Sequence, residues 1–313
     1  MERATLWTKL SSTPVLFVLL ATLWGGSFVA IEAGVKEWPP LLFAAVRYDV
    51  AGALVLGLAV ARGGRALPGT RDDVAAVAVV SVFVVFAHHA LLYVGQGSVP
   101  GAVASAVVAL APVVSALLAP LVLGDEGLGR TEAIGVGVGF LGVVAVTNPG
   151  GTGGVPVRGT ALVFAATVAF AVGTLLLRRV RPTLSTAALQ GWGMLAGALL
   201  LHAGSGVLGE PQVVSPSPAG LATLAFLIVG PGVVAYLLYF RLLDDVGATR
   251  TMLVGYAEPM AAAGLSFAAF GYVPTTGAVL GFLLVLVGFA LVQGHALRVA
   301  ADGAVGRVRA ALP

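Results

Sequence analysis

The sequence predicts an all-α polytopic membrane protein, with ten transmembrane helices in two five-helix inverted repeats and both termini in the cytoplasm. Three observations predict this fold class: the composition, the spacing of long apolar segments, and the recurrence of short motifs at a nearly constant distance. Of the 313 residues, 58% are hydrophobic and 10% are charged, whereas soluble domains carry about 25% charged residues. This composition excludes a soluble globular protein and a disordered chain. Cysteine is absent, which excludes disulfides, thiol nucleophiles and cysteine-ligated metals.

Each predicted span is an apolar segment with about the length that a helix needs to cross the bilayer core, roughly 20 residues. Short connections rich in glycine, proline and charge separate the spans, as in Lys36-Glu37-Trp38-Pro39-Pro40. The first span is interpreted as a helix of the mature protein, because it lacks a small-residue cleavage site and nine spans follow it. The ten predicted spans are 14–33, 39–61, 74–94, 98–123, 131–147, 157–177, 185–203, 219–240, 247–270 and 275–296.

The positive charges indicate the orientation of these spans. With the N-terminus in the cytoplasm, Lys36 and Arg158 fall on the outer side, Arg47 lies inside a span, and the other 14 of the 17 Lys and Arg residues fall on the cytoplasmic side. Such an excess of Lys and Arg is typical of cytoplasmic loops, and an error of one helix in the count would destroy the asymmetry. The chain is therefore predicted to be a multi-pass protein of the cytoplasmic membrane. The cytoplasmic set is Arg3, Lys9, Arg62, Arg65, Arg71, Arg130, Arg178, Arg179, Arg181, Arg241, Arg250, Arg298, Arg307 and Arg309.

The chain contains an internal repeat. Ala51-Gly52-Ala53-Leu54 recurs as Ala196-Gly197-Ala198-Leu199, and a nearly constant offset across half of the chain indicates duplication. Because five spans is an odd number, the second unit must enter the membrane from the opposite side. Inverted repeats are typical of secondary transporters, in which two related bundles open a central site alternately to each side. The predicted units are 1–148 and 157–297, followed by a cytoplasmic tail, 298–313. The matching pairs are Pro112 with Pro259 at 147 residues, and Gly135 with Gly281 and Gly142 with Gly288 at 146.

Motifs in both halves carry a family resemblance. The first half contains Leu23-Trp24-Gly25-Gly26-Ser27-Phe28, Arg47, and Ala111-Pro112 through Gly124-Asp125-Glu126. The second half contains Tyr236-Leu237-Leu238-Tyr239-Phe240, Val246-Gly247-Ala248, and Glu258-Pro259 followed by Gly281 and Gly288. Together these motifs resemble the drug/metabolite transporter superfamily, EamA type, over essentially the whole chain. The resemblance implies a five-plus-five inverted fold and movement of small metabolites, amino acids or drugs across the cytoplasmic membrane, often as export. The family's glutamate after the fourth span of each half is present as Glu126 but replaced by Val273, which we interpret as a structural variation.

Glu258 is the first candidate site residue, because ionisable groups at membrane depth are costly and therefore functional by default. It lies about 16 Å into the ninth span and precedes Pro259, which removes a backbone hydrogen bond and loosens the helix locally. Its carboxyl group could carry a proton or bind a substrate ammonium group. The alternative is a neutral glutamic acid that is hydrogen-bonded to Tyr256 or to a neighbouring helix. The equivalent residue Ala111 is apolar, so the fold itself does not require an acid here.

Arg47 is the second candidate, and its guanidinium keeps its charge in all protein environments. One interpretation is recognition of a substrate carboxylate or phosphate. The other is a permanent structural pair with Asp49, Glu258 or Glu32, or a cap on facing helix ends. Arg47 and Asp49 are two residues apart on a helix and point in different directions, so they are not expected to pair with each other.

His88 and His89 are candidates for proton coupling, because histidine titrates within the physiological pH range. Adjacent residues lie about 100° apart on a helix, so one of the two is expected to face the centre of the bundle. The alternative is one hydrogen-bonded core histidine and one interhelical hydrogen bond. Two adjacent histidines are poor metal-ligand geometry, and no metal site is predicted.

Aromatic residues within the spans are candidates for a pocket wall that stacks on a substrate, although packing or lipid contact is the favoured interpretation for all of them except Trp24 and Trp192. Trp24 lies near the middle of the first span, and Trp192 is the repeat equivalent of Arg47. The predicted substrate-binding set is Trp24, Ser27, Arg47, Trp192, Tyr239 and Glu258.

The function predicted from these features is secondary active transport of small metabolites, with export as the expected direction. The sequence has no GxxxxGK(S/T) loop and no HExxH motif, so it predicts neither an ATP-driven pump nor an enzyme, and no cofactor. The alternative is a non-transporting membrane sensor, or an enzyme acting on lipid-linked substrates. Expected partners are a small-molecule substrate and the lipid bilayer, with protons as a candidate. Nucleic acid is not expected, and the protein is expected to be a monomer or a homodimer.

Overall fold

The computed structural model describes residues 13–124, 127–147, 154–247, 251 and 253–294, and within these ranges it contains helices and loops but no β-strand. The all-α prediction is confirmed for this part of the chain. The helices are α1 (Thr13–Gly34), α2 (Pro40–Ala61), α3 (Arg71–Gln96), α4 (Gly101–Leu123), α5 (Arg130–Thr147), α6 (Val157–Leu177), α7 (Thr186–Val207), α8 (Pro218–Val246), α9 (Val254–Phe270) and α10 (Thr276–Val292).

Seven of the described helices, α1–α6 and α8, are long and apolar enough to cross a membrane. α7 has 22 residues but contains Gln190, His202 and five glycines, which lower its hydropathy. α9 and α10 have 17 residues each, at the short end of the range for a crossing. The count of ten spans and the cytoplasmic placement of the termini therefore stay predictions. The predicted tail, Glu126 and several of the counted arginines lie outside the described residues.

The glycines of α5 and α10 show how the two halves are related. A methyl group built on Gly135 would lie 2.7 Å from the carbonyl oxygen of Gly288, and one built on Gly142 would lie 2.6 Å from that of Gly281. Residue numbers rise along one helix as they fall along the other, so the two helices are antiparallel. Gly135 contacts Gly288, which is the repeat equivalent of Gly142, and Gly142 contacts Gly281, which is the repeat equivalent of Gly135. This reciprocal contact is the geometry of an inverted repeat. The glycines of α5 therefore form a packing face against α10.

The pair α2 and α7 repeats this arrangement. Gly52 of α2 packs against Met194 of α7, and Gly191 of α7 packs against Leu56 of α2. Small residues let helices approach closely where no hydrophobic effect drives them together. Because equivalent helices from the two halves pack on each other, the middle of the bundle is shared by both repeats.

Two equivalent helices change their winding near the middle of the bundle. α3 is a π-helix over Val80–Ala87, directly before His88, and α8 is a π-helix over Gly230–Val234, shortly before Tyr236. Such π segments within α-helices occur frequently at functional sites. The changes in winding therefore direct attention to the side chains that follow them.

Hydrogen bonds join the two halves at both ends of α2. Beyond its C-terminal end, the Asp73 carboxylate accepts hydrogen bonds from the backbone N–H groups of Thr183, at 2.6 Å, and Leu184, at 3.1 Å. Before its N-terminal end, the Glu37 carboxylate accepts from the N–H group of Ser217, at 2.9 Å, and from its hydroxyl, at 3.0 Å. We call these groups of bonds the Asp73 latch and the Glu37 latch.

The two latches connect equivalent parts of the repeat. Thr70 and Ser217, the N-terminal caps of α3 and α8, lie 147 residues apart, and Glu37 and Leu184 are separated by the same distance. In each latch, the N-terminus of the third helix of one half is therefore bound to the connection after the first helix of the other half. The 22 residues of α2 place the two latches about 33 Å apart along the bundle.

Candidate functional site

Arg47 is buried in the bundle, with 5% of its surface exposed. Its Nη1 atom donates a hydrogen bond of 2.8 Å to the Tyr93 hydroxyl on α3, and its guanidinium lies 4.9 Å from the centre of the Tyr48 ring, within the range of a cation–π contact. Its Nε atom is buried and has no hydrogen-bond partner among the described residues. The protein therefore satisfies this cation only in part, and with neutral groups.

The carboxylates proposed as structural partners of Arg47 are engaged elsewhere. Asp49 is bound to His202 at 2.7 Å. Glu32 accepts a hydrogen bond of 2.7 Å from the Gly101 N–H group and lies 3.6 Å from Lys36. Glu258 forms no ion pair with Arg47 within 4.0 Å. In the part of the chain that the structure describes, Arg47 therefore forms no carboxylate pair, which was one of the two interpretations left open for it.

The two histidines point to different neighbours. His89 is hydrogen-bonded through Nε2 to the Tyr48 hydroxyl and through Nδ1 to the Val85 carbonyl. His88 turns towards α6, where its Nδ1 lies 2.9 Å from the Ala166 carbonyl. All of these partners are neutral, and a neutral imidazole with its proton on Nδ1 satisfies each of them. The arrangement places His89 beside Arg47 and leaves His88 as an interhelical contact.

An aromatic group from α1 and α8 forms the other side of this region. The Trp24 ring lies 6.4 Å from the Tyr236 ring and 5.6 Å from the Tyr239 ring. Gln190 donates a hydrogen bond of 2.8 Å to the Tyr236 hydroxyl. α8 also packs on α2 four residues after Arg47, where a methyl group built on Gly232 would lie 3.1 Å from the Ala51 side chain. The helix that carries Tyr236 therefore lies against the helix that carries Arg47.

The backbone of Glu258 packs on the helix that carries Trp24. The Glu258 carbonyl occupies the space beside Gly25, where a methyl group would lie 2.6 Å from it, so this turn of α9 lies next to the residue that follows Trp24. Its carboxyl group is partly buried and makes no hydrogen bond within the described ranges. The Tyr256 hydroxyl is buried without a partner among the same residues, so the predicted alternative of a bond between Glu258 and Tyr256 is wrong.

Two residues of the predicted set, Trp192 and Ser27, hydrogen-bond to backbone carbonyls away from Arg47. The Trp192 indole N–H donates a hydrogen bond of 2.8 Å to the Ala66 carbonyl in the α2–α3 connection, so the structure does not bring this side chain to Arg47. The Ser27 hydroxyl donates to the Trp24 carbonyl at 2.6 Å, which fixes it to the first helix. Of the predicted set, the structure links His89 to Arg47 through Tyr48 and brings Trp24 to Tyr239, with the Glu258 backbone beside Gly25.

Sequence reasoning missed the uncharged polar members of the region. Tyr48 and Gln190 supply hydrogen bonds within it, and Gln96 donates to the Phe28 carbonyl at 2.8 Å while its own carbonyl oxygen has no partner among the described residues. A search restricted to ionisable residues does not find them. Amides within otherwise apolar spans were the available signal, since polar side chains in membranes join helices by hydrogen bonds.

Comparisons with known proteins agree with this architecture. The model of the EamA-like transporter family matches the chain twice, over residues 12–148 and 157–293. The chain is 27% identical to an uncharacterized inner membrane transporter, YedA, of Escherichia coli K12, with 78% of each protein covered. It is 24% identical to an uncharacterized transporter, YyaM, of Bacillus subtilis, covering 86% of this chain and 90% of the relative. A solved crystal structure shares the fold with a TM-score of 0.62 and 23% identity, covering 92% of this chain and 99% of that one.

Proposed function

The chain belongs to the EamA-like transporter family and is a multi-pass transporter of the cell membrane, and we propose that it moves small metabolites by alternating access. The central region of Arg47, Trp24, Tyr236, Tyr239 and Glu258 is the proposed substrate site. All ten helices are proposed to cross the membrane, with both termini in the cytoplasm. The proposed direction is export, for which the support is the family resemblance.

The observation that carries the mechanism is the pair of latches in an inverted repeat. Alternating access requires two closures on opposite sides of one site, each of which opens while the other holds. The Asp73 latch and the Glu37 latch join equivalent segments at opposite ends of α2. A bundle that exchanges the conformations of its two halves would break one latch while keeping its equivalent. Both consist of a few hydrogen bonds to a carboxylate, each worth about 1.5–3 kcal/mol, so each latch can hold its end of the bundle closed while the other end opens.

The residues of the proposed site have distinct roles. Arg47 supplies a fixed positive charge, and the rings of Trp24, Tyr236 and Tyr239 supply surfaces on which an organic substrate can stack. Glu258 supplies a carboxyl group that has no partner within the described ranges and is the proposed proton or ammonium acceptor. His89 remains a second candidate for proton movement, through its hydrogen bond to Tyr48.

Flux from proteoliposomes tests the proposal. Liposomes are loaded with a defined mixture of amino acids, organic acids and organic cations, and the loss of each compound is followed by mass spectrometry. We expect at least one compound to leave faster than it leaves protein-free liposomes, and external addition of that compound to accelerate its exchange. Comparing inside-out with right-side-out membrane vesicles then tests the direction.

A matched pair of variants connects the flux with the site. Arg47→Gln is expected to abolish flux of the compound identified, whereas Arg158→Gln, at the exposed start of α6, is expected to leave it unchanged. Absence of flux for every compound in a correctly folded preparation would contradict the proposal. Normal flux in Arg47→Gln would contradict the location of the site.

A further inference from the structure

We infer that the transported substrate carries one carboxylate group and that this group binds the Arg47 guanidinium. The inference rests on the proposed function and specifies the substrate class for the same site. Its basis is the balance of charge around Arg47, which the described part of the protein leaves uncompensated.

A buried charge without a counter-charge is expensive, because the protein interior solvates ions much less well than water does. Arg47 is 5% exposed, and no carboxylate of the described residues lies within 4.0 Å of it. The Tyr93 hydroxyl and the Tyr48 ring reduce this cost but bring no negative charge. Within the same part of the chain, the buried Nε atom still lacks an acceptor.

The acids nearest in sequence are not available to make up the deficit. Asp49 is held by His202, and Glu32 is held by Lys36 and by the N-terminus of α4. Moving either acid to Arg47 would leave another cation or helix end without its partner. Glu258, the remaining acid of this region, makes no ion pair with Arg47 within 4.0 Å either. None of the described acids therefore supplies the missing acceptor, and in a transporter the molecule that enters the centre is the substrate.

The charged groups around Arg47 favour a substrate group with a single negative charge. Of the cationic side chains described, Arg47 is the one in this region, and His88 and His89 hydrogen-bond to neutral partners. One guanidinium balances one carboxylate, whereas a phosphate dianion would bring a second, uncompensated charge. A carboxylate also matches the planar guanidinium fork, since it can accept from Nε and a terminal nitrogen at the same time.

Ligand-induced stabilisation of the purified protein in detergent tests this inference without requiring flux, because a ligand that binds the folded state raises the unfolding temperature. The probes are matched sets that differ only in charged groups: 4-methylpentanoate, leucine and 3-methylbutylamine, with corresponding sets built on alanine and on phenylalanine. We expect at least one carboxylate compound to raise the unfolding temperature, and its amine counterpart without the carboxylate to have no such effect.

Three variants separate the charge from its surroundings. Arg47→Gln is expected to weaken carboxylate binding by tenfold or more, and Arg47→Lys to retain part of it, since lysine keeps the charge but loses the fork. Tyr93→Phe removes the hydrogen bond to Arg47 but keeps the charge, and it is expected to retain binding. Should Arg47→Gln fail to fold, Arg47→Lys and Tyr93→Phe test the guanidinium fork instead: binding weakened in Arg47→Lys and retained in Tyr93→Phe is expected, and equal binding in wild type and Arg47→Lys would contradict the inference.

Several results would overturn the inference. They are stabilisation by the amines alone, equal stabilisation of wild type and Arg47→Gln by the carboxylates, and no stabilisation of the wild type by any carboxylate in the panel. These failures are distinct from failure of the proposed function, because flux of a cationic or neutral compound in the liposome experiment would leave the transport proposal intact.

Discussion

Glu258 lies where α9 packs most closely on α1, beside the glycine that follows Trp24. Within the described ranges, no hydrogen-bond donor holds its carboxyl group, so the group is free to exchange a proton or to meet a cation. We expect Glu258→Gln, which keeps the volume and removes the ionisation, to remove most of the variation of flux between about pH 6 and pH 8. Initial efflux rates at a series of pH values provide the measurement.

A second acid serves as the control for Glu258. Glu132 lies in the first turn of α5 and accepts a hydrogen bond from the exposed Gly129 N–H group, so Glu132→Gln should keep the wild-type pH profile. If Glu258→Gln keeps the same rate and the same profile as the wild type, Glu258 does not belong to the site.

The two tryptophans of the predicted set have different environments, and this difference can be measured. Trp24 contacts Tyr236 and Tyr239 in the central region, whereas Trp192 is bound to the Ala66 carbonyl. We expect Trp24→Ala to raise the apparent KM about tenfold, as the loss of an aromatic contact worth about 1.4 kcal/mol would. Trp192→Phe should lower stability by about 1 kcal/mol through its lost hydrogen bond while leaving the KM unchanged.

The reverse pattern, an increased KM in Trp192→Phe and a normal one in Trp24→Ala, would show that the repeat equivalence of Trp192 and Arg47 has functional meaning. Concentration dependence of efflux, measured beside thermal unfolding of the same preparations, separates the two effects.

At the scale of single residues, the sequence shows which spans contain a charged side chain, whereas repeat equivalence does not show where a side chain points. Arg47 and Glu258 could be located from the sequence, because an ionisable residue in an apolar span is costly and therefore conspicuous. Trp192 could not be judged in this way, because its partner is a backbone carbonyl in a loop. The diversion of Asp49 to His202 on α7 also depends on which helices become neighbours, and spacing along α2 does not contain that information.

At the scale of elements, α5 and α10 provide a direct test of close packing. A Cβ atom at Gly142 would lie 2.6 Å from the Gly281 carbonyl oxygen and 2.7 Å from the Val285 nitrogen, both of which are backbone atoms. The two helices would have to separate to admit it. We therefore expect Gly142→Ala to destabilise the protein by about 1–3 kcal/mol, the usual cost of overpacking, as measured by thermal unfolding in detergent.

The same helix contains a matched control. A methyl group on Gly137 of α5 would have no neighbouring side chain or facing helix of the described residues within 4 Å. Gly137→Ala should therefore leave stability unchanged or raise it slightly through better helix propensity. Equal effects of the two substitutions would mean that the close glycine contact between α5 and α10 does not contribute to the stability of the protein.

Element positions were largely predictable, whereas their internal irregularities were not. Apolar length and the separation of 146 to 147 residues predict where helices lie and which are equivalent. They do not predict the π segments Val80–Ala87 and Gly230–Val234. An apolar run has the same composition in either winding, and the choice depends on packing against neighbours.

At the scale of the whole molecule, the two latches define what must move. The Asp73 latch binds the N-terminus of α3 to the α6–α7 connection, and the Glu37 latch binds the α1–α2 connection to the N-terminus of α8. Neither was predicted from the sequence, because acids that accept backbone hydrogen bonds at helix ends look like ordinary loop charges in a sequence. Their significance comes from the inverted symmetry, which makes one the equivalent of the other at the opposite end of the bundle.

Covalent closure of either latch should stop transport if both have to open in turn. The chain contains no cysteine, so the pairs Asp73→Cys with Thr183→Cys, and Glu37→Cys with Ser217→Cys, can be introduced into the natural sequence. We expect oxidation of either pair to reduce efflux about tenfold or more and subsequent reduction to restore it, because alternating access fails when one side cannot open. Each of the four single-cysteine variants should be insensitive to oxidation.

Comparison of the two cross-linked pairs distinguishes a channel with one gate from an alternating-access transporter. A channel with one gate would be blocked by one cross-link and unaffected by the other, whereas an alternating-access protein needs both ends to open during each cycle. Full flux with both pairs cross-linked would contradict the proposed movement at these ends of the bundle. Inhibition by each cross-link, reversed by reduction, would instead support the view that the two halves exchange conformations around the region that contains Arg47.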